Sequence, residues 1–188
     1  MDLSYLDLAL LLEEMGRSLF PGPFFSSVVL GGLTILSAGT PSQKRYLLPR
    51  IAKGEAIATL ALTEPSVTYG PDGVQTRAAL HDSGYVLNGT KLFVPDGQVA
   101  DCLVVATRTY EGRDPSQGVT LFLVDAKTPG VSVTPLRTIA GDKQAEVVFK
   151  DVHVSANSIL GTINEGWSVL SRILDMAAVG KCAEMLGG

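Results

Sequence analysis

Residues 62–72 read LTEPSVTYGPD, and they stand where an apolar run stops. Ile57 to Leu62 has the unbroken hydrophobicity of a buried strand. Thr63-Glu64-Pro65 ends it, and Gly70, Pro71, Asp72 and Gly73 follow, which is turn composition. The question this stretch poses is what an irregular loop holds immediately after a buried strand, and the segments on either side frame the answer.

On the N-terminal side the spacing is helical. Leu8, Leu11, Leu12, Met15 and Leu19 recur at helical intervals within residues 3–20, with Glu13, Glu14 and Arg17 opposite. Phe24 to Ala38 reads as a second helix, apolar nearly all round, with Gly31-Gly32 as packing glycines and Gly39 as its C-cap. Thr40, Pro41 and Gln43 give N-cap, N1 and N3 signals for a third helix that Pro49 is expected to kink or end before Gly54.

After the loop the period shortens. Extended runs are predicted at 57–62, 74–80, 84–88, 90–94, 101–107, 119–125, 131–135 and 145–154. Asp82-Ser83-Gly84 and Asn88-Gly89 read as hairpin turns, Asp114-Pro115-Ser116 as an exposed loop and Thr128-Pro129-Gly130 as another turn. From Asn164 the helical period returns, with Trp167, Leu170, Ile173, Leu174 and Ala177 on one face. The fold class is therefore α+β: an N-terminal helical segment, an antiparallel β-barrel or sandwich, and the start of a helical bundle. The boundaries fall at 1–56, 57–163 and 164–188. Both ends carry more apolar surface than one small barrel can cover, so a shortened chain is expected, although Gly187-Gly188 also suits a closing C-cap.

Composition excludes several classes. The chain has 188 residues, 46% of them hydrophobic and 18% charged, with a net charge of −4, so neither disorder nor a nucleic-acid footprint is expected. The opening MDLSYLDLALLLEEMG lacks early Lys or Arg, unlike a secretory or transit leader. Apolar stretches are broken well before the roughly 18 residues that a membrane span requires. A cytoplasmic protein with no membrane span is the expectation. Cys102 and Cys182 lie far apart and read as buried small apolar residues. His81 and His153 have no second ligand at metal spacing. Lys91 reads as an exposed hairpin charge, and Trp167 as a helix-to-barrel anchor.

Several stretches occurring in order carry a resemblance: ALTEPSVTYGPDGVQTRA, GYVLNGTKLFVPDGQVADCLVVAT, GVTLFLVDAKTPGVSV, AEVVFKDVHV, then ILG and EGW, preceded by EEMGRSLFPGPF and LLPRIAKGEA. Together they resemble the acyl-CoA dehydrogenase family over essentially the whole chain. The resemblance implies FAD as cofactor and an acyl-CoA thioester as substrate. It further implies an electron-accepting flavoprotein or similar acceptor as partner, and a homo- or hetero-oligomer. Leu60, Leu62 and Thr63 match positions that face the flavin, with the Thr63 hydroxyl a donor to its pyrimidine edge. Phe93, Val94 and Pro95 match a second flavin motif. Tyr69 and Asp175 match positions near the thioester ligand, and Glu64 reads as structural, bonding loop amides.

The chain departs from the family pattern at the site itself. Tyr69 stands where a serine is usual, Pro95 where Ser or Thr is usual, and Ala178 where an arginine is common. Pro95 offers neither hydroxyl nor N–H. The resemblance places the catalytic base in helices beyond this chain. Two functions remain open: an active flavoenzyme with a reshaped pocket for an unusual, bulky thioester, or a catalytically silent subunit paired with a complete partner.

Overall fold

The computed structural model describes residues 4–188. The first helix, α1 (Tyr5–Arg17), starts in a capping box in which Ser4 and Asp7 bond reciprocally. Phe25–Gly32 follows as a π-helical stretch that runs directly into α2 (Leu33–Ala38). An ordinary helix was expected over 24–38, and the wider turn is set by close packing. Gly31 lies against Ala58 so tightly that a Cβ there would stand 2.5 Å from the Ala58 Cβ, while Ser27 Oγ accepts a bond from the Ala58 amide at 3.1 Å. Gly39 caps α2 in an extended rather than a left-handed conformation. Thr40 and Gln43 form the predicted capping box of α3 (Pro41–Ala52). Pro49 does not end α3, because both Pro49 and Arg45, whose carbonyl loses its partner, are exposed to water.

Eight strands follow: β1 (Ala58–Ala61), β2 (Arg77–His81), β3 (Gly84–Pro95), β4 (Cys102–Arg108), β5 (Val119–Asp125), β6 (Val131–Leu136), β7 (Gln144–Ser155) and β8 (Ile159–Leu160). Their order is β6-β7-β3-β2-β4-β5-β8, with β1 also on β4. Most pairings are antiparallel, but β1 and β2 both run parallel to β4, at Ala58–Ala61 against Cys102–Val105 and at Arg77 against Arg108. They occupy successive lengths of one edge, and the loop after β1 carries the chain along that edge. The Asp82-Ser83 hairpin forms as expected. Asn88-Gly89 does not turn; β3 continues through it with a bulge between Leu87 and Gly89, since a Cβ at residue 89 would come within 2.7 Å of Thr76 Cα.

Two cores share the sheet. Every residue of β4 is buried, because Cys102, Val104 and Ala106 face the helices while Leu103 and Val105 face a second core with Val94, Val147 and Phe149. The last helix, α4 (Gly166–Gly187), packs on α1 through Gly16 and Gly187, where the two backbones approach too closely for larger residues, and Gly180 lies against the Leu12 and Tyr5 side chains. Trp167 is half-buried against the helix-facing core, as expected. Cys102 is buried, which pushes its thiol up to about 12, but Cys182 is exposed on α4, contrary to expectation. No helix among the described residues is long and apolar enough to cross a membrane.

Candidate functional site

The loop after β1 is pinned at both ends by buried charge. Glu64 Oε1 accepts bonds from the Gln75 amide at 3.0 Å and the Thr76 amide at 2.9 Å, the structural role its sequence context implied. It also accepts from Lys91 Nζ at 2.6 Å. Lys91 was expected at the surface; its side chain is instead 0% exposed, and Nζ donates a further bond to Leu62 O at 3.1 Å. Because β3 runs on past residue 88, Lys91 is an inward position of a long strand rather than part of a hairpin. Burial lowers the Lys91 ammonium to about 8, with Glu64 opposing the shift.

At the far end Arg108 spreads its guanidinium over backbone carbonyls. Nε donates to Val74 O at 3.1 Å, Nη1 to Pro115 O at 2.8 Å and Gln117 O at 2.9 Å, and Nη2 to Pro71 O. Desolvation lowers its pKa. Its rigid fork of donors suits this task. Between these anchors Val67 adopts φ +53°, the left-handed region that β-branched residues avoid, and its amide closes a turn on Glu64 O at 2.8 Å.

β3 meets this loop at its own irregularity. The Leu92 amide donates to Thr63 O at 2.8 Å, and the register of β3 on β7 slips between Lys91 and Val94. Phe93 sits inside that bulge at φ +55°. The extra residue breaks the alternation: Lys91 and Val94 both point inward, and Phe93 is turned out to 45% exposure. Such a conformation costs roughly 1–3 kcal/mol and persists only where its surroundings enforce it. The Thr59 hydroxyl then fixes Pro95 O at 2.6 Å, and the Ser26 hydroxyl fixes Asp96 Oδ2 at 2.6 Å.

These constraints build one hollow of about 140 Å³. Leu60, Leu62 and Thr63 line it beside Leu92, Phe93 and Pro95 of the neighbouring segment, and Leu30 and Leu174 line it from the helices. Five of the sequence-selected residues, Leu60, Leu62, Thr63, Phe93 and Pro95, therefore meet. Val94 does not join them: it is 1% exposed within the second core, because the bulge turns it inward. Tyr69 is 77% exposed and outside the lining. Asp175 is exposed on α4 beside Leu174, which does line the hollow. The apolar wall with the single Thr63 hydroxyl fits a planar ring that has an apolar end and a polar edge, the shape of an isoalloxazine. No donor comes from Pro95.

Three lining residues were not selected from sequence as site residues. Leu174 was visible as part of the apolar face of α4, whereas Leu30 and Leu92 had no signal beyond hydrophobicity. Lys91 and Arg108, which hold the site together, were legible only as charges inside apolar runs. His81 and His153 stack edge to face with centroids 5.4 Å apart, although 72 positions separate their numbers, 153 − 81. Among the described residues no group of three or more His, Cys, Asp or Glu is placed to hold a metal.

The chain is similar to known proteins over nearly its whole length. The model of the acyl-CoA dehydrogenase middle domain matches residues 59–152 and that of the N-terminal domain residues 1–55. Acryloyl-CoA reductase (NADH) of Anaerotignum propionicum is 32% identical over 188 aligned residues, covering 97% of this chain and 48% of the relative. The mitochondrial long-chain specific acyl-CoA dehydrogenase of Sus scrofa is 34% identical, covering 88% of this chain and 40% of the relative. The glutaryl-CoA dehydrogenase of Mycobacterium smegmatis, solved in complex with FADH2, superposes with a TM-score of 0.76 at 32% identity, over 85% of this chain and 40% of that one. The ChsE4-ChsE5 complex of Mycobacterium tuberculosis superposes with a TM-score of 0.79 at 30% identity, over 93% of this chain and 45% of that one. The chain thus spans about half the length of the curated relatives it matches. With both family models matching in sequence order and the TEP loop and β3 bulge meeting at one hollow, the chain belongs to the acyl-CoA dehydrogenase family.

Proposed function

We propose that this chain supplies the flavin wall of an FAD-dependent enzyme that dehydrogenates an acyl-CoA thioester between its α and β carbons. The observation that carries the reading is the shared hollow, which Thr63 and Phe93, distant in sequence, both line. When bound there, FAD supplies the acceptor for the hydride. Leu60, Leu62 and Phe93 pack the apolar part of the ring, and the Thr63 hydroxyl is available to its polar edge. The Glu64–Lys91 pair and the Leu92 amide hold Thr63 in place from behind, so the wall is ordered before any ligand arrives. Tyr69 and Asp175, outside the hollow, are assigned to the thioester side. The proton-abstracting carboxylate is assigned to no residue of this chain but to the part of the family fold that it does not cover, and an electron-accepting flavoprotein reoxidises the cofactor. Assembly is as a homo- or hetero-oligomer, in the cytoplasm.

The test is spectroscopic. Protein expressed from its complete reading frame is expected to purify yellow and to bleach when an acyl-CoA thioester is added under anaerobic conditions. A colourless protein that takes up no added FAD would exclude the flavoenzyme. A second reading draws on Pro95, which lines the hollow without a hydroxyl or an N–H: the chain is the silent member of a mixed oligomer. Protein that binds flavin, yet bleaches with no thioester until a second subunit is added, would favour that reading.

A further inference from the structure

The buried charge of this chain is gathered behind the hollow. Among the described residues three charged side chains are buried, Glu64, Lys91 and Arg108, and all three bond within the segment 62–76. Two bases against one acid leave a balance of 2 − 1 = +1. Arg108 spreads its charge over four backbone carbonyls at the far end of the loop. Lys91 is placed differently: Nζ donates to Leu62 O at 3.1 Å, and Leu62 lines the hollow.

The two members of the Lys91–Glu64 pair do not lie symmetrically about the wall. Glu64 Oε1 is taken up by the Gln75 and Thr76 amides at 3.0 and 2.9 Å, and neither of those residues lines the hollow. Lys91 Nζ reaches from that carboxylate, at 2.6 Å, to the Leu62 carbonyl. The positive member is thus the one bonded to a lining residue. Leu62 O and the Thr63 N–H belong to one peptide unit, and an ammonium on the carbonyl polarises the unit and strengthens its N–H as a donor. Among the described residues no backbone acceptor takes that N–H. Dehydrogenation sends the β C–H to the flavin with its electron pair while the α proton goes to the base, and this adds one negative charge to the ring. Positive potential already fixed beside such a charge stabilises it without reorganisation.

Resting on the flavoenzyme reading above, we propose that Lys91 is a positioning residue for the reaction: acting through the Leu62–Thr63 peptide, it makes the hollow more favourable to reduced, negatively charged flavin than to oxidised flavin. Lys91 itself does not line the hollow. A purely structural brace supports both oxidation states alike, so the flavin midpoint potential distinguishes the two roles.

The experiment uses flavin-loaded protein expressed from its complete reading frame, with the midpoint potential read from the flavin spectrum against a reference dye at neutral pH. Lys91→Met should shift the balance about tenfold towards oxidised flavin, which for a two-electron couple is a fall of about 30 mV. An unchanged or higher potential overturns the inference. Should Lys91→Met not yield folded protein, the pH dependence of the potential in the unaltered protein decides. Burial lowers the Lys91 ammonium to about 8; of the charged groups that face it, Glu64 raises it and Arg108 lowers it. Reduced flavin holds the Lys91 proton to higher pH than oxidised flavin does, so above about 8 reduction takes up an extra proton and the potential falls more steeply with pH than below that value. A slope that stays constant through it overturns the inference and leaves the flavoenzyme reading intact. Protein that binds no flavin ends that reading, and this inference with it.

Discussion

Lys91 and Glu64 form a buried pair whose members cannot be removed singly without leaving an uncompensated charge. Lys91→Met should therefore destabilise the fold by about 3–5 kcal/mol, read from urea denaturation. The pair also predicts a pH dependence. Burial holds the folded ammonium near 8, whereas an unfolded lysine titrates near its ordinary 10.5. Between those values the unfolded chain binds more protons, so the desolvation cost present below the lower value is relieved as pH rises through the window. The unfolding free energy of the unaltered protein should rise between pH 8 and 10.5 relative to Lys91→Met; a difference that stays flat or falls across this range would show that Lys91 is not the titrating group. At Pro95 the predicted direction is a gain. Pro95→Thr places a hydroxyl on the hollow, and stopped-flow flavin reduction should accelerate by about tenfold, the scale of one hydrogen bond to developing charge. Unchanged or slower reduction would mean that Pro95 is not the missing donor.

Among the elements, α1 and α4 touch through glycine. A Cβ at Gly16 would overlap the Glu184 carbonyl, and one at Gly187 the Glu13 carbonyl, so neither backbone can yield alone. Gly16→Ala should cost about 1–3 kcal/mol through overpacking. For a domain of this size that lowers Tm by about 2–4 °C per kcal/mol. A variant with unchanged Tm would show that the two helices part without penalty. The π-helical stretch matters at the same scale. Its wide turns bring Leu30 to the hollow and Ser26 to Asp96, tying helix register to the exit of β3.

For the molecule as a whole, the hollow is a wall and not an enclosure. Small-molecule sites bury about 70–90% of their ligand, and a cavity of about 140 Å³ with Phe93 at 45% exposure leaves one side open. The isolated 188-residue chain should bind FAD at least about 100-fold more weakly than protein from the complete reading frame, as titration calorimetry can measure. Tight stoichiometric binding by the isolated chain would contradict the division of the site that is proposed here. The exposed apolar side chains Leu10, Val179 and Leu186 mark where further protein surface is expected.

What the sequence alone determined was the order of helices and strands, the capping of α3 and the meeting of the TEP loop with the Phe93 segment, because these follow from local periodicity, turn chemistry and a family pattern. Tertiary structure decided the rest. Whether Asn88-Gly89 turns or bulges depends on Thr76 approaching from a different segment, and that one outcome sends Lys91 inward and Val94 away from the hollow. The parallel seating of β1, the π register against Ala58 and the pairing of Lys91 with Glu64 are likewise fixed by contacts between residues far apart in the chain, for which no local spacing carries a signal.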